Sequence, residues 1–377
     1  MIPLAVPDLS GNEARYLQDC IASTYVSSIG PFVDRFESMI SEAAGTGAAV
    51  ATSSGTAGLH VALVAVGVQH NDLVILPSFT FIASANAIAQ CGAEPWLFDV
   101  TAESWTLDPD LLRARLETET RAEGAGGIGR IHIPSGKRVA AIMPVHTLGL
   151  PADMDAIADI ARSFGIPTVA DAAPAIGATY KGRPMGQCGA NLSVFSFNGN
   201  KTVTSGGGGA VIGDDGEALA LVRHLSSTAR TGTGYDHDRA GFNYRMTNLQ
   251  AAVGCAQMER LDDLVAAKRR IRRAYEDAFA HLSEAENFPS PDWAESACWF
   301  SGVTWHSDAD ALRAKLREAG VDAKPFWKPV HLQKPYAASP RTELDVTEDI
   351  WRRIVILPCS SNLTDGELAR VIDCVAG

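Results

Sequence analysis

The sequence of 377 residues lacks the marks of several protein classes. Its seven cysteines are scattered, odd in number and free of any C-x-x-C pair, which argues against a disulfide framework and against a zinc site. Lysine and arginine number 32 against 44 aspartates and glutamates, and the net charge of −12 disfavours sequence-independent binding to nucleic acid. Such a charge still permits a local basic pocket for a phosphate or a nucleotide.

Signals for export and for membrane insertion are also missing. Residues 1–8 show no basic segment followed by an apolar one, so no signal peptide is predicted. The richest apolar run, residues 58–67, is far shorter than the roughly 18 residues that a membrane span needs. We therefore expect a cytoplasmic protein with reduced thiols and no membrane contact. Hydrophobic residues make up 46% of the chain, which is enough for a sizeable core.

Short apolar segments alternate with helical segments over the first two-thirds of the chain. Continuous apolar strands separated by helices are typical of an α/β sheet that is covered on both faces. A helix is predicted from Ala57 to Val66, directly after the first strand. The predicted buried strands lie at 48–52, 73–76, 139–143, 166–171 and 192–197.

The remaining sequence predicts an insertion and a second, smaller domain. Glycine-rich residues near 118–137 indicate an exposed loop or a small hairpin inserted into the sheet domain. Thr247 and Gln250 fit a capping box at the start of a long helix that we expect to reach about Leu282. We predict a large domain at 1–250, which includes an amino-terminal arm, and a small α+β domain at 251–377.

Two glycine-containing turns follow predicted strands, where α/β proteins build their sites. Ser54-Gly55-Thr56 lies between a strand and a helix, so its backbone N–H groups could bind an anion, or Ser54 or Thr56 could simply cap the helix. Lys201 follows another strand and precedes four glycines, Gly206 to Gly209. A partly desolvated lysine can form a Schiff base with an aldehyde; the alternative is a solvated lysine in a loop.

An aspartate and a group of aromatics complete the set of candidate residues. Asp171 ends an apolar strand, and a buried carboxylate needs a cationic partner such as a protonated pyridine nitrogen, unless Asp171 only caps a helix. Residues 77–86 contain Phe81, which could stack on a planar cofactor or pack in the core. These candidates match the needs of pyridoxal 5'-phosphate. They are an anion-binding turn, an aromatic ring that could stack on the cofactor, a carboxylate, and a lysine that can form a Schiff base with the aldehyde.

In these motifs the chain resembles the DegT/DnrJ/StrS-type sugar aminotransferases, which have the fold-type I, aspartate aminotransferase-like architecture. The resemblance covers nearly the whole chain. It implies a large mixed α/β/α sheet domain that binds pyridoxal 5'-phosphate and a smaller carboxy-terminal α+β domain. The matching segments are 54–57, 77–81, 144–146, 151–155, 171–173, 195–197 with Lys201, 241–246 and 329–333.

The resemblance also assigns roles to single residues. Lys201 matches the lysine that links to the cofactor, and Asp171 matches the partner of the pyridine nitrogen. Asn243 matches a residue that reaches the phosphate from the neighbouring subunit, which implies a homodimer with shared active sites. Pro174 stands where the family often has Gln or His near the ring, so the contact to the 3'-oxygen must come from elsewhere or be absent. The remaining matches are Gly55, Thr56 and Ser196 at the phosphate and Phe81 at the ring.

The inferred reaction transfers an amino group from glutamate to a nucleotide-linked 4-keto-6-deoxy sugar. The insertion and residues 325–333 are similar to the 4-aminotransferases of legionaminic acid and bacillosamine pathways, which act on UDP-4-keto-6-deoxy-N-acetylglucosamine. Perosamine synthases, which use GDP-4-keto-6-deoxymannose, are the alternative, and a pyridoxal-phosphate-binding regulator without turnover is another. A nicotinamide oxidoreductase would need a G-x-G-x-x-G motif that residues 53–58 lack.

Substrate contacts are predicted with less support from the residues themselves. Trp327 could pack on the sugar or the base, or could be an aromatic at the domain interface. Lys328 and His331 are candidates for the diphosphate, as are Arg230 and Arg239, although a solvated surface role is common for such residues. Two further histidines match the family pattern: His60 is predicted in the core and His146 near the site.

Overall fold

The structure, a computed structural model, describes residues 1–122 and 129–377. Most of the predicted glycine-rich loop, residues 123–128, lies outside the described residues. The helices are α1 Glu13–Ser23, α2 Pro31–Ala44, α3 Gly55–Ala65, α4 Ile82–Gln90, α5 Pro109–Glu119, α6 Met154–Phe164, α7 Gly216–Ser226, α8 Asn248–Met258, α9 Leu261–Phe279, α10 Ala309–Glu318, α11 Asp345–Arg353 and α12 Asp365–Ala376.

The strands are β1 Ala48–Thr52, β2 Leu73–Pro77, β3 Glu94–Phe98, β4 Thr120–Ala122, β5 Arg130–His132, β6 Arg138–Ile142, β7 Val169–Asp171, β8 Thr179–Tyr180, β9 Arg183–Pro184, β10 Leu192–Ser196, β11 Gly209–Gly213, β12 Arg230–Thr231, β13 Asp236–His237, β14 Ala285–Glu286, β15 Ala294–Glu295, β16 Ser301–Trp305 and β17 Ile354–Leu357. Short 3₁₀ helices lie at Thr147–Gly149, Met185–Gln187, Val330–Leu332 and Lys334–Tyr336.

Two groups of strands form the central sheet. One group has the order β1-β11-β10-β7, and the other has the order β3-β2-β6-β5-β4. Isolated parallel bridges from Ile142 to Thr168 and from Val145 to Asp171 place the end of β6 beside β7 and join the groups. β11 runs antiparallel to both of its neighbours, while β7 and β10 are parallel. The result is a mixed sheet, as the fold-type I expectation requires.

Side chains of the central strands alternate between two hydrophobic cores, one on each face of the sheet. Ala49 and Ala51 of β1 belong to the core packed by α2 and α8, whereas Val50 belongs to the core packed by α3 and α7. Ile75 and Val74 of β2 divide in the same way. Because both faces are buried, the strands read as continuous apolar runs, and the α/β fold predicted from those runs is confirmed.

The long helix predicted from Thr247 is two helices in the structure. The capping box is present, since Thr247 Oγ1 accepts from the Gln250 backbone and the Gln250 side chain accepts from the Thr247 N–H. α8 then ends at Met258, and α9 starts at Leu261. Arg260, between them, pairs with Asp8, so the amino-terminal segment is anchored at the break. Apolar spacing alone does not reveal such a break, because it continues across it.

The carboxy-terminal region has its own small sheet and core. β16 pairs antiparallel with β14 and with β17, and α9, α10 and α12 pack around this sheet. Its core also includes Ile2, Phe79 and Leu148, which come from the amino-terminal half of the chain. The division at residue 250 falls inside α8 and stays a prediction.

The insertion forms a hairpin at the edge of the sheet. β4 and β5 pair antiparallel, and β5 pairs with the start of β6. Among the described residues, no helix combines the length and the apolar character needed to cross a membrane. The same residues contain no group of three or more His, Cys, Asp or Glu side chains that could hold a metal ion.

Candidate active site

A cavity with about 1070 Å³ of empty space lies where the central strands end. It brings together side chains that are far apart in sequence, from the first strand-helix turn to the carboxy-terminal region. Its lining includes Ser54, Gly55, Thr56, Phe81, Asp171, Pro174, Ser196, Lys201, Trp299 and Trp327. Seven of the predicted site residues therefore meet in one place, namely Gly55, Thr56, Phe81, Asp171, Ser196, Lys201 and Trp327.

Lys201 lies in the loop after β10, with its backbone N–H bonded to the Asn198 carbonyl at 3.0 Å. Its amine nitrogen lies 3.5 Å from the centre of the Trp299 ring. Burial lowers the pKa of Lys201 to about 7, and the charge of Asp171 opposes that shift. Much of the amine is therefore neutral near physiological pH, which is the form that attacks a carbonyl carbon.

Asp171, at the end of β7, is 5% exposed. Its Oδ2 accepts from Ser84 Oγ at 2.6 Å, and its Oδ1 accepts from the Ala173 N–H at 3.0 Å. Burial raises the pKa of this carboxyl, while both hydrogen bonds and the charge of Lys201 lower it. The described part of the chain contains no ion pair to Asp171, so the site has room for a cationic partner supplied by a ligand.

The amino terminus of α3 faces the cavity and is tightly packed against two strands. Ser54 is the cap, since its Oγ accepts from the Ala57 N–H at 3.1 Å. A Cβ on Gly55 would lie 2.8 Å from the Cβ of Ser196, so only glycine fits this turn. A Cβ on Gly209 would lie 2.7 Å from the Gly55 Cα, which explains one glycine of the run after Lys201. The first-turn N–H groups of a helix are available to an anion.

Aromatic rings form the opposite side of the cavity. Phe81 is 46% exposed and lies 5.0 Å from Trp327, centre to centre, whereas Phe79 is fully buried in the core. Trp299 lies 5.4 Å from Trp327 and donates from Nε1 to the Asn200 carbonyl at 2.6 Å. The sequence pattern does not single out Trp299 as a site residue.

Other predicted site residues lie elsewhere. His331 is buried away from the cavity, with Nδ1 2.8 Å from Ser78 Oγ and Nε2 3.2 Å from a Glu348 carboxylate oxygen. Lys328 is exposed and is not part of the lining. Arg230 and Arg239 are exposed and bond within their own loop, Arg230 to the Gly234 carbonyl and Arg239 to Asp238.

Asn243 and the two family-pattern histidines also lie outside the lining. Asn243 is exposed on a surface segment that bridges to Ser227. His60 is buried and contacts Tyr244 Oη at 3.1 Å, as a core histidine would. His146 is fully buried, and its Nδ1 accepts from the Ala152 N–H at 3.0 Å.

The residues of the cavity fit pyridoxal 5'-phosphate. A buried carboxylate without an ion-pair partner suits the ring nitrogen, an amine with a pKa of about 7 suits the aldehyde, and the glycine turn at α3 suits the phosphate. Pro174 lines the cavity but offers no side-chain donor for the ring oxygen. Fold and cavity together define a pyridoxal-phosphate-dependent enzyme of fold-type I.

The chain belongs to the DegT/DnrJ/EryC1/StrS aminotransferase family, whose profile matches residues 7–376. It is 36% identical to the GDP-perosamine synthase of Caulobacter vibrioides, over 98% of this chain and 96% of that protein. It is 35% identical to EpsN of Bacillus subtilis, named provisionally as a pyridoxal phosphate-dependent aminotransferase, over 99% and 94% of the two chains. The protein is therefore a sugar aminotransferase that uses pyridoxal phosphate.

A solved structure shows the same architecture. The aminotransferase TlmJ from Streptoalloteichus hindustanus superposes with a TM-score of 0.89 at 28% identity, covering 100% of this chain and 98% of that one. The match extends over the amino-terminal sheet and the carboxy-terminal region alike.

Proposed function

We propose that the protein moves an amino group from glutamate to C4 of a GDP-linked 4-keto-6-deoxymannose. The observation that carries this proposal is the similarity to GDP-perosamine synthases, at 32–36% identity over at least 98% of this chain. The resemblance at residues 118–137 and 325–333 favours a UDP-linked 4-keto-6-deoxy-N-acetylglucosamine instead. Whole-chain similarity to perosamine synthases weighs more than two short segments, so the UDP sugar is the second candidate.

Within this proposal each group of cavity residues has a separate role. Lys201 would hold the cofactor through its amine, and Gly55, Thr56 and Ser196 would surround the phosphate. When bound, pyridoxal phosphate supplies an electron sink for a carbanion next to nitrogen. Because the pKa of Lys201 is about 7, its amine can both accept and release a proton at the reacting carbon.

The charge of Asp171 would keep the ring nitrogen protonated. Phe81 would pack on the ring, and Trp327, which contacts Phe81, would meet the substrate. The exposed edge formed by these two rings is the part of the lining best placed to pack on a flat or apolar surface of the nucleotide sugar.

The substrate proposal is tested by comparing kcat/KM for the two keto sugars with glutamate as donor. We expect a preference for the GDP-linked 2-hydroxy sugar. A site that hydrogen-bonds an acetamido group would instead reject the 2-hydroxy sugar strongly, because its buried polar groups would be left unpaired. A preference for the UDP-linked acetamido sugar would therefore contradict the proposal and support the second candidate function. The Lys201→Ala variant, with both sugars, measures the background.

We also propose that the active enzyme is a homodimer in which Asn243 completes the phosphate site of the partner subunit. Asn243 is exposed and lies outside the cavity of its own chain, which fits a role across an interface. Mixing Asn243→Ala chains with Lys201→Ala chains tests this arrangement. A hybrid dimer would have one site with both lesions and one with neither, so activity should reappear. If verified subunit exchange restores no activity, Asn243 does not act on the partner's site.

A further inference from the structure

Two buried hydroxyl groups lead from the start of α4 to the carboxylate of Asp171. Ser84 is fully buried and Thr80 is 2% exposed. Ser84 Oγ donates to Asp171 Oδ2 at 2.6 Å, and Thr80 Oγ1 lies 3.0 Å from Ser84 Oγ. A hydroxyl has one proton, and that of Ser84 is committed to Asp171, so Thr80 is the donor to Ser84. The two hydroxyls thus form a directed chain that ends on the carboxylate.

The local fold holds this chain in place. α4 begins at Ile82, directly after Phe81, and the Ser84 N–H bonds to the Phe81 carbonyl at 3.2 Å. The same turn of helix therefore presents Phe81 to the cavity and Ser84 to Asp171. The second carboxylate oxygen is held by the Ala173 N–H. Both oxygens have a fixed donor, so the carboxyl group cannot rotate freely.

The surroundings of Asp171 explain why the hydrogen bond from Ser84 affects the charge of its carboxyl group. Lys201 is the charged group whose field reaches the carboxylate. His146 donates its backbone N–H to the Asp171 carbonyl at 3.0 Å, but burial lowers the pKa of its ring to about 3, so it stays neutral. Burial alone favours the protonated, neutral carboxyl group. A hydroxyl that donates to the carboxylate shifts this balance towards the charged form.

We propose that Ser84, supported by Thr80, is a positioning residue that keeps Asp171 ionised and aimed at the ring nitrogen of the cofactor. This inference rests on the role proposed above for Asp171. Ser84 does not line the cavity, so it acts through Asp171. Nothing in the sequence pattern of residues 77–86 singles out Ser84.

The test is the apparent Kd of pyridoxal phosphate for the cofactor-free protein, measured by absorbance titration between about pH 5.5 and 8.5. Ser84→Ala should weaken binding more at the acid end of this range than at the alkaline end, by up to about tenfold if the pKa of Asp171 rises by about one unit. Titrations of the cofactor itself are common to both proteins and cancel in the ratio. A purely structural effect would change the Kd by the same factor at every pH, and that result would overturn the proposal.

Further variants separate the hydroxyl from its surroundings. Ser84→Thr retains the donor and should bind within about twofold of the wild type at every pH. Thr80→Val keeps Ser84 and serves if Ser84→Ala does not fold. Because Thr80 itself lines the cavity, only the pH dependence of this variant is informative. It should shift the profile in the same direction as Ser84→Ala by a smaller factor, and an equal change at every pH would contradict the proposal. Ser226→Ala is the matched control, because Ser226 is a buried serine on α7 away from the cavity. A shift with Ser226→Ala equal to that with Ser84→Ala would contradict the proposal.

Measuring the Ser84→Ala effect in the Asp171→Asn variant separates the inference about Ser84 from the role proposed for Asp171. There Ser84→Ala should change the Kd by less than about twofold, because no ionisable group remains at position 171. If Asp171→Asn binds the cofactor as the wild type does, the roles of both residues are wrong. If Asp171→Asn weakens binding but Ser84→Ala has no pH-dependent effect, the Asp171 role stands and the Ser84 inference fails. No sugar enters this test, so a different sugar preference leaves it unaffected.

Discussion

The two sides of the cavity are built by different means. The sheet wall consists of Gly55, Thr56, Asp171, Ser196 and Lys201, and the tryptophan wall consists of Trp299 and Trp327. The sheet wall carries the charges and the helix terminus, and each member lies within about ten residues of a central strand. The tryptophan wall carries no formal charge and comes from the carboxy-terminal region.

The contact between these walls sets the chemistry of the cavity. The Trp299 ring covers the amine of Lys201, and Trp299 is itself fixed by its bond to the Asn200 carbonyl and by its N–H bond to the Leu148 carbonyl at 3.1 Å. Leu148 has a φ of 59°, and Cys298, which precedes Trp299, has a φ of 51°. Two non-glycine residues in the left-handed region cost free energy, which the surrounding packing must offset. The sheet wall supplies the reactive groups, and the tryptophan wall supplies the dry surroundings.

The largest expected effect is on the sheet wall. Lys201→Ala should lower kcat for sugar transamination by at least about three orders of magnitude, because no other group in the lining can replace the amine. Borohydride treatment of the wild type with bound cofactor should place the label on Lys201 in peptide maps. A label on another lysine would move the reactive amine away from this wall.

The second-largest effect is expected from removing the negative charge of Asp171, in the same wall. Asp171→Asn keeps an oxygen for the Ala173 N–H but loses the negative charge, so cofactor affinity should fall by about one to two orders of magnitude, from a charged hydrogen bond worth roughly 1.5–3 kcal/mol. Asp153→Asn is the control, because Asp153 caps α6 outside the cavity. It should leave affinity within about twofold. Equal, small losses from both substitutions would mean that Asp171 acts as an ordinary turn residue.

The contrast between the walls also explains what the sequence could predict. Asp171 and Lys201 each follow a continuous apolar strand, and such strand ends converge at one edge of the sheet. The same reasoning predicted five of the central strands, but it missed β3, which opens with Glu94 and Pro95, and β11, whose short apolar run lies between two glycines. Glycine opens β11, and its two neighbours run antiparallel to it.

The tryptophan wall depends on long-range packing that local patterns do not encode. Trp299 touches Asn200 and Leu148, which are about 100 and 150 positions away in the sequence. His331 and Trp327 lie four positions apart, yet Trp327 reaches the cavity while Ser78 and Glu348 hold His331 in the interior. Only the tertiary fold separates their environments. Of the residues predicted to contact the substrate, Trp327 lines the cavity, whereas His331 and Lys328 do not.

A smaller effect tests how the tryptophan wall acts on Lys201. Trp299→Leu should let water reach the amine and raise its pKa above about 7, since burial is the main cause of the present value. A rise of one unit would lower the neutral fraction at pH 7 from about one half to about one tenth. The pH dependence of Lys201 modification by an aldehyde reagent in the cofactor-free protein measures this shift. Trp299→Phe retains a ring and should shift the pKa less.

A fall in the pKa of Lys201 in the Trp299→Leu variant would assign a different role to the tryptophan wall. A ring face also attracts an ammonium group, by about 0.5–2 kcal/mol. If Trp299→Leu lowers the pKa of Lys201, that attraction outweighs the exclusion of water, and the tryptophan wall acts as an electrostatic partner of the amine. A change in the overall rate constant at all pH values would not decide between the two effects, so the midpoint of the profile is the quantity to compare.

The smallest effects should distinguish Trp327 from its neighbour Lys328. Trp327 lines the cavity beside Phe81, whereas Lys328 is exposed outside it. Trp327→Leu should raise KM for the keto sugar by about two- to tenfold, the range of a lost aromatic contact, and leave the reaction with glutamate nearly unchanged. Lys328→Ala should change both by less than about twofold, since an exposed charge contributes little. A larger effect from Lys328 than from Trp327 would show that the nucleotide sugar extends beyond the two walls, over the surface around residue 328, where a lysine can meet its diphosphate.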